Sequence, residues 1–363
     1  MSCHIAIACG GTGGHVMPGL ATAEVLRARG HAVTLWLTGN PVEARAAASW
    51  QGAVQRVPAV GFPTSLSWRG VRAAWKLGRT RRVCYRKMRS APPDVVLAMG
   101  SYASAGPVGA ARRLGIPYVL HEANVQPGRA VRWFARGAQC VACHFEETRF
   151  FLRRHRVEVI GMPLRREMEQ AVIDAGDLSG NGWFTLLVMG GSHGAHRLNE
   201  AVSTAVTTLA AQGQRMAVIH LTGEVDRETV SARYAEAGVE AEVHAFTGEM
   251  ADLYKRASLA VCRAGASSCA ELCLFGVPAL LVPYPHAAND HQTANARALE
   301  RAGAVDVVPE SDLSVAWLTD YLVASMQKRD RLARMRSILK LRAKPQGAER
   351  LADLVEKSAE LSR

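Results

Sequence analysis

The 363-residue sequence contains no acidic residue between positions 44 and 93, although this stretch has eleven Lys and Arg residues. Residues 1–160 contain 22 Lys and Arg against 7 Asp and Glu, a net charge of +15, whereas residues 161–363 have a net charge of −3. Such one-sided charge indicates an anionic partner, either a nucleic acid or a phospholipid surface. We therefore expect the first half of the chain to contact an anionic surface.

Long apolar runs, an export signal and a regular cysteine pattern are also missing. The longest apolar run, residues 272–289, is interrupted by one glycine and three prolines, so no membrane span is expected. The N-terminal stretch MSCHIAIAC has no basic leader, and the eight cysteines are irregularly spaced. We therefore expect reduced thiols in a cytoplasmic protein. The stretch CVACH at 140–144 has the spacing of a haem attachment site, but its alternation favours a buried strand.

The order of apolar segments predicts the fold class. With 48% hydrophobic residues the chain has enough apolar side chains for full cores, and its length exceeds the roughly 250 to 300 residues that one core holds. Short β-rich runs alternate with stretches of helical period, and the pattern restarts after VIGMPLR at 159–165. We predict two tandem, doubly wound, Rossmann-like α/β domains at residues 1–161 and 162–344, and a helical C-terminal region from about Asp312.

Each predicted domain opens with a strand, a glycine-rich loop and a helix, in IAIACGGTGGHVMPGL and in LLVMGGSHGAHRLNEAV. Glycines let the backbone turn sharply and approach a ligand, and the N–H groups at a helix start bind anions. Phosphate binding is therefore the functional interpretation, although a tight strand-to-helix turn needs the same residues. A nicotinamide-dependent oxidoreductase is disfavoured, because Val16 stands at the third glycine position of the fingerprint and Asn40, not an acid, follows the second strand.

Polar side chains follow two apolar strands of the second domain. The stretch CRAGASSCAEL has Gly265 at a strand–helix junction and Glu271 in the first helical turns, where a carboxylate can accept both hydroxyls of a ribose. A second cluster, in PYPHAANDHQTANA, contains His286, Asn289, Asp290, His291, Gln292 and Asn295. Amides and imidazoles beyond the C-terminal end of a strand suit a sugar with many hydroxyls. A solvated loop is the alternative, but the flanking PALLVP is strongly apolar.

Five motifs together resemble a known family. They are GGTGGHVMPGLA, HEANVQPGRA, GGSHGAHRLNEAV, CRAGASSCAE and PHAANDHQTANA, in matching order between residue 5 and about residue 300. The resemblance is to the peptidoglycan glycosyltransferases that transfer N-acetylglucosamine from UDP-N-acetylglucosamine to the undecaprenyl-pyrophosphoryl-muramyl peptide, with inversion at the anomeric carbon. It implies a glycosyltransferase B fold with a cleft between two Rossmann-like domains and a last helix, at about 345–363, that returns to the first. It also implies a role in cell-wall synthesis, cell shape and division, without a cofactor.

The resemblance assigns donor binding mainly to the second domain. The implied donor residues are Arg165 near the diphosphate, Ser192 on the phosphates, Thr247 against the uracil, Ala266, Ser267 and Ser268 at the nucleotide-facing helix start, Glu271 on the ribose, and Gln292 and Asn295 on the sugar hydroxyls. In the first domain, Thr12, Gly13, Gly14 and Asn124 would close over the donor, and His15, Tyr102, His121 and Glu122 would face the acceptor.

The chemistry of such a transfer needs a base. The acceptor hydroxyl must lose a proton as it attacks the anomeric carbon, and the leaving UDP gains negative charge. His15 is the first candidate, because a helix N-terminus favours the neutral imidazole. Glu122 and His121 are the alternatives. No pair of acids resembles a DxD metal site, so we expect metal to be dispensable.

Residues 68–89, WRGVRAAWKLGRTRRVCYRKMR, predict a membrane-facing helix. Steps of 100° place Trp68, Val71, Trp75, Arg79, Arg82 and Arg86 on one face. Tryptophan with arginine is typical of a surface among lipid headgroups, although Gly70 and Gly78 weaken the helix prediction and a solvated basic helix with inward tryptophans is the alternative. Because the implied acceptor is anchored in a bilayer, we expect peripheral binding to an anionic membrane, at its cytoplasmic face.

Two other function classes are weaker. Nucleic-acid binding would explain the basic first half, but residues 44–93 contain no stacking-module motif and offer only Trp68, Trp75 and Tyr85 as platforms. We therefore expect no nucleic-acid partner. The main alternative is another UDP-sugar enzyme of the same fold, either a glycolipid glycosyltransferase or a UDP-N-acetylglucosamine epimerase.

Overall fold

The computed structural model describes residues 2–58, 68–175, 183–191 and 195–361 of the chain. The chain forms two compact units, one of residues 1–165 with residues 344–363, and one of residues 166–343. Each unit is a parallel sheet with helices on both faces. The prediction of two tandem, doubly wound α/β units is therefore confirmed.

The first unit is built on a seven-stranded parallel sheet of order β3-β2-β1-β4-β5-β6-β7. The strands are β1 (His4–Ala8), β2 (Ala32–Leu37), β3 (Ala53–Arg56), β4 (Val95–Ala98), β5 (Tyr118–Glu122), β6 (Cys140–Cys143) and β7 (Val157–Val159). The helices are α1 (Gly13–Ala28), α2 (Pro41–Ala46), α3 (Trp68–Ser90), α4 (Ala105–Leu114), α5 (Arg129–Phe134) and α6 (Thr148–Phe151). The CVACH stretch thus begins as the buried strand β6, as expected.

Strand β1 shows why the apolar runs become central strands. Ile5 and Ile7 pack into one cluster with residues of α1, whereas Ala6 and Ala8 pack into a second cluster with residues of α3 and α4. Successive side chains of a strand point to opposite faces, so a strand covered on both faces must be apolar throughout. The continuous run IAIA meets this need, and the two alanines leave room for helices close to the sheet.

The second unit is built on a six-stranded parallel sheet of order β10-β9-β8-β11-β12-β13. The strands are β8 (Thr185–Met189), β9 (Ala217–Leu221), β10 (Ala241–His244), β11 (Leu259–Cys262), β12 (Ala279–Leu281) and β13 (Asp306–Val307). The helices are α7 (Arg166–Ala175), α8 (His196–Ala211), α9 (Arg227–Glu236), α10 (Met250–Arg256), α11 (Ala266–Phe275), α12 (His291–Glu300), α13 (Val315–Gln327) and α14 (Arg329–Arg342).

The last helix, α15 (Gly347–Glu360), belongs to the first unit and packs against α1, β4 and β5. A Cβ on Gly347 would lie 2.3 Å from the carbonyl oxygen of Met162, so only glycine allows the backbone to pass so closely. Arg29 forms salt bridges of 2.7 Å with Asp353 and Glu356, which lie further along the helix. The C-terminal region is helical from Val315, as predicted.

Helix α3 buries one stripe and exposes the opposite one. Thr80, Cys84 and Met88 are buried, and the helix packs against α4. The side chains of Trp68 and Trp75 are 79% and 65% exposed. The tryptophans therefore do not pack inward, which contradicts the alternative of a solvated basic helix with buried tryptophans. Within the described part of the chain, no helix combines the length and apolarity needed to span a bilayer.

Candidate functional site

The carboxyl ends of β1, β4 and β5 lie side by side in the first sheet, and the candidate residues follow them. A Cβ on Gly11 would lie 3.7 Å from Tyr102 Cε1, and one on Gly100 would lie 2.7 Å from the carbonyl oxygen of His121. The three loops therefore touch at one edge of the sheet. The predicted residues gathered there are Thr12, Gly13, Gly14, His15, Tyr102, His121, Glu122 and Asn124.

The glycines of the first loop serve two different needs. A Cβ on Gly10 would lie 2.9 Å from Thr38, and Gly11 has a φ of +127°, so packing and backbone conformation require both. A Cβ on Gly13 would meet no described atom within 4 Å beyond its own chain neighbours, and one on Gly14 would meet only Thr12 Oγ1, at 3.8 Å. Packing in the described residues does not require these two glycines, so bare backbone here favours the close approach of a ligand.

His15 lies in the first turn of α1 beside the hydroxyl of Thr12. The His15 Nδ1 and Thr12 Oγ1 atoms are 3.0 Å apart, and the His15 amide donates to the Thr12 carbonyl at 3.0 Å. When Nδ1–H donates to the hydroxyl, the ring lone pair is on Nε2, which is the tautomer that a base acting through Nε2 requires. The threonine thus orients the imidazole.

The two alternative bases, His121 and Glu122, are both buried at the end of β5. Burial, together with the nearby His144 and His15, lowers the pKa of His121 to about 3, so the ring is neutral at pH 7. Its Nε2 makes no hydrogen bond with the described residues. Burial also raises the pKa of Glu122 to about 7, although two backbone N–H groups donate to its carboxylate. Of the two, Glu122 is the group that can exchange a proton near neutral pH.

Glu122 also holds the loop that follows β5. Its Oε1 accepts from the backbone N–H of Asn124 at 2.9 Å and from the Asn124 side-chain amide at 3.3 Å, and its Oε2 accepts from the N–H of Gly128 at 2.8 Å. The carboxylate therefore fixes the position of Asn124. Of the remaining predicted residues, Arg165 is the last residue of the first unit's main segment, and Ser192 lies outside the described residues.

In the second unit, β8, β11 and β12 are neighbours, and their carboxyl ends point to one edge of the sheet. Ala266, Ser267 and Ser268 form the first turn of α11, after the N-cap Gly265. Thr247 follows β10 at the far side of the sheet, where its hydroxyl accepts from the N–H of Glu249 at 3.1 Å. The helix start thus presents backbone N–H groups at the end where ligands of open α/β sheets bind.

Glu271 lies in the second turn of α11 and is held by a residue that the sequence analysis missed. The hydroxyl of Tyr254 donates to Glu271 Oε2 at 2.8 Å. Tyr254 is 1% exposed, and its ring stacks on Phe275 with centroids 5.2 Å apart. The bond fixes the orientation of the carboxylate near the start of α11. Tyr254 is 17 residues away in the sequence, so no local pattern indicated the contact.

The loop after β12 is tied down by its own amides. Gln292 Oε1 accepts from the N–H of Tyr284 at 2.9 Å, and the buried Asn295 donates to the carbonyl of Ala264 at 3.2 Å. Asn289 and Asp290 have φ values of 54° and 52°, a left-handed conformation that these residue types tolerate best after glycine. The structure therefore shows Gln292 and Asn295 as residues that shape the loop.

A cavity of about 330 Å³ opens beside this loop. Its polar lining residues are Arg197, His286, Thr293, Arg297, Glu310 and Ser311. Glu310 is buried and pairs with Arg263, which also donates to the carbonyls of Val282 and Pro283. The ion pair fixes the strand end at which the loop begins.

His196, the first residue of α8, was also missed by the sequence analysis. Its Nδ1 lies 2.8 Å from Asp226 Oδ1, and this hydrogen bond raises the pKa of His196. The same carboxylate accepts from the buried amide of Asn199 at 2.8 Å. A protonated imidazole here adds positive charge to the helix N-terminus that follows the second glycine-rich loop. Among the described residues, no group of three or more His, Cys, Asp or Glu side chains is arranged to hold a metal ion.

Comparison with protein families gives two matches that together cover most of the chain. Residues 5–143 match the model described as glycosyltransferase family 28 N-terminal domain, and residues 185–351 match the model described as glycosyltransferase family 28 C-terminal domain. The boundary region between the two matches contains the passage from the first unit to the second.

Curated relatives match over nearly the whole chain. The Bordetella petrii protein named UDP-N-acetylglucosamine–N-acetylmuramyl-(pentapeptide) pyrophosphoryl-undecaprenol N-acetylglucosamine transferase is 40% identical, and the match covers 98% of each chain. The Hahella chejuensis protein of the same name is also 40% identical, over 94% of each chain. The crystal structure of Acinetobacter baumannii MurG superposes with a TM-score of 0.80 at 29% identity, covering 98% of this chain and 99% of that one. These matches confirm the resemblance seen in the motifs and the predicted glycosyltransferase B fold.

Proposed function

The chain belongs to glycosyltransferase family 28, and from this premise we propose that it transfers N-acetylglucosamine from UDP-N-acetylglucosamine to the undecaprenyl-pyrophosphoryl-muramyl peptide. The product is the lipid-linked disaccharide used in peptidoglycan synthesis. The observation that carries the proposal is the nearly full-length match to relatives with this named activity. The site geometry supports it, because each unit has a helix start at the carboxyl edge of its sheet, and in the first unit the glycine-rich loop leads into it.

The reaction requires one proton to move and one bond to be replaced. A base removes the proton from the acceptor hydroxyl as its oxygen bonds to the anomeric carbon, and the bond from that carbon to the β-phosphate oxygen breaks. UDP leaves with the electron pair, on the opposite face of the sugar, so the configuration is inverted. Backbone N–H groups at the helix starts and the charge of Arg165 and His196 stabilise the developing charge on the diphosphate.

We assign donor binding to the second unit. Ala266–Ser268 present N–H groups, and Glu271, oriented by Tyr254, is the acceptor for the ribose hydroxyls. Thr247 contacts the uracil, Ser192 the phosphates and Gln292 the sugar hydroxyls. Asn295, expected from the sequence to bind the sugar as well, is fully buried and instead holds the start of α12 to Ala264. In the first unit, Thr12, Gly13, Gly14 and Asn124 approach the donor, while Tyr102, His15, His121 and Glu122 face the acceptor. No metal or cofactor takes part in this scheme.

A steady-state assay tests the function directly. The protein is given UDP-N-acetylglucosamine and the lipid-linked muramyl peptide, with UDP-galactose as the control donor, and the disaccharide product is quantified. We expect turnover with the first donor and little with the second. If the UDP sugar is instead epimerised without acceptor, or if another glycolipid is the better acceptor, the chain is a different UDP-sugar enzyme of this fold.

We expect Glu271→Ala to raise the KM for UDP-N-acetylglucosamine roughly tenfold to a hundredfold at nearly unchanged kcat. Hydrogen bonds to a charged group contribute about 1.5 to 3 kcal/mol, and this loss falls on ground-state binding of the ribose. Tyr254→Phe removes only the bond that orients Glu271, so the KM should rise by a smaller factor.

The matched control is Tyr234→Phe. Tyr234 is also buried and hydrogen-bonded, but it lies in α9 and its hydroxyl pairs with His220, at 2.9 Å, and not with Glu271. Its loss should leave the KM for the donor unchanged. An unaltered KM in Glu271→Ala would show that the ribose is bound by another residue.

For the acceptor, we propose that the protein works at the cytoplasmic face of the membrane as a peripheral protein. The support is the exposed face of α3, on which aromatic and basic side chains lie opposite the buried stripe. A lipid-linked acceptor makes such attachment useful, because the substrate is confined to the bilayer surface. The anionic partner predicted from the charge of the first half is then a phospholipid surface and not a nucleic acid.

A further inference from the structure

The side chain of Glu43, in α2, is completely buried behind the first glycine-rich loop. Its Oε1 accepts from the N–H of Gly11 at 2.6 Å, the hydroxyl of Thr38 at 2.5 Å and the side-chain amide of Asn40 at 2.9 Å. Its Oε2 accepts from the N–H groups of Thr38 and Gly39, both at 2.7 Å. Five donors thus converge on one carboxylate. Both oxygens of the carboxylate therefore act as hydrogen-bond acceptors.

Glu43 and Asn40 together form hydrogen bonds with both polar backbone groups of Gly11, its N–H and its carbonyl. The Asn40 amide donates to the Gly11 carbonyl at 2.8 Å, while Glu43 accepts from the Gly11 N–H. From a third direction, the hydroxyl of Ser101 donates to the carbonyl of Gly10 at 2.5 Å. The loop is therefore fixed to the ends of β2 and β4 before it enters α1.

Glu43 differs in its partner from the acid found near the second strand of dinucleotide-binding Rossmann-like domains. In dinucleotide-binding domains the glycine-loop N–H groups face the pyrophosphate, and an acid near the end of the second strand binds the ribose. Here the acid, Glu43, lies six positions after the last residue of β2, and its side chain accepts a hydrogen bond from the glycine-rich loop itself. Gly11 N–H consequently donates to a side chain of the protein itself, and the part of the loop left for a ligand begins at Thr12.

We propose that Glu43 is a positioning residue, a buried carboxylate that fixes Gly11 so that His15 is presented correctly to the acceptor hydroxyl. This inference rests on the proposed function. Gly11 has a φ of +127° and directly precedes Thr12, whose carbonyl accepts from the His15 amide at 3.0 Å. Any rotation at Gly11 therefore moves the imidazole. Misplacement of a catalytic group by about 1 Å can lower the rate about a hundredfold.

The test compares three variants at matched folded fraction, with kcat, both KM values and UDP affinity by calorimetry as readouts. Glu43→Gln keeps the shape but replaces one accepting oxygen by a donor. Asn40→Ser keeps a side chain that can cap α2, but it is too short to reach Gly11. Val33→Ala, at the opposite end of β2 in a buried position, destabilises the same unit without touching the loop.

We expect Glu43→Gln to lower kcat at least about tenfold and Asn40→Ser to lower it less, with UDP affinity within about twofold of the unmodified protein, because the proposed contacts to the ribose and uracil lie in the second unit. The pH dependence of kcat should keep its shape, because the proton-transfer group is unchanged. Val33→Ala should lower the melting temperature and leave kcat unchanged.

Three results would overturn the inference: full kcat in Glu43→Gln, an equal loss of kcat in Val33→Ala, or a parallel loss of UDP affinity. If Glu43→Gln does not fold, Asn40→Ser alone decides, and unchanged kcat in that variant also overturns the inference. Failure of the proposed function is recognised separately, because then the unmodified protein makes no disaccharide although it binds UDP.

Discussion

Replacing His15 with alanine is expected to lower kcat about a hundredfold or more, while the KM for UDP-N-acetylglucosamine stays nearly constant. General base catalysis typically contributes about 10²- to 10⁴-fold, and none of the donor contacts proposed above is made by the His15 side chain. Initial rates of disaccharide formation at saturating donor and acceptor give the loss of kcat directly. Thr12→Val is the companion variant, since it removes the hydroxyl 3.0 Å from His15 Nδ1 and leaves the imidazole in place.

A loss smaller than about tenfold in His15→Ala would move the role of base to Glu122 or His121. The pH profile then separates these two. Because burial raises the pKa of Glu122 to about 7, its deprotonated, basic form increases as the pH rises through 7, and kcat should rise with it. His121, with its pKa lowered to about 3, is neutral across that range, so as the base it would cause no change of kcat near pH 7. Glu122→Gln should abolish the rise of kcat through pH 7 only if Glu122 is the base.

The central strands could be predicted from the sequence because burial on both faces makes them apolar without interruption. Strands β3, β7 and β13 cannot be recognised in this way; they lie at the sheet edges and have two to four residues each. None of their residues is buried, since an edge strand is covered on fewer sides. Their sequences, AVQR, VEV and DV, therefore lack the pattern that identifies a central strand.

Some residues of the site could be found from local sequence motifs, and others could be found only from the fold. Glycine-rich loops and helix starts follow one another directly in the sequence, so Thr12–His15 and Ala266–Glu271 could be found from motifs. Glu43 and Tyr254 act on residues 32 and 17 positions away, and only the fold brings the pairs together. Asn40 was used in the sequence analysis as evidence against a dinucleotide site. In the structure, the same residue helps to clamp the loop.

The protein is expected to co-sediment with vesicles that contain phosphatidylglycerol or cardiolipin and to be released at high salt, through the exposed face of α3. Trp75 is 65% exposed, Arg79 lies over its ring at 5.9 Å, and Arg82 and Arg86 are exposed one and two turns further on. Each basic side chain near an anionic leaflet contributes about 1 kcal/mol. Three arginines with one tryptophan thus favour binding by roughly 3 to 4 kcal/mol, more than about a hundredfold in affinity.

Changing Trp75 to Ser and Arg79, Arg82 and Arg86 to Glu should therefore abolish sedimentation with anionic vesicles, while turnover with a detergent-soluble acceptor is largely kept. The control carries an equal change of charge on the second unit, in the exposed residues Arg215, Arg301 and Arg334, each replaced by Glu. If the overall charge of the protein were responsible for vesicle binding, the control would lose binding equally, because its charge changes by the same amount and screening acts on all exposed charges alike. Equal binding of the unmodified protein to neutral vesicles, or no effect of the four changes in α3, would show that another surface meets the membrane. Retention of binding in the control and its loss in the α3 variant would place the contact on this helix, where the stretch without a single acid keeps repulsion from the anionic leaflet to a minimum.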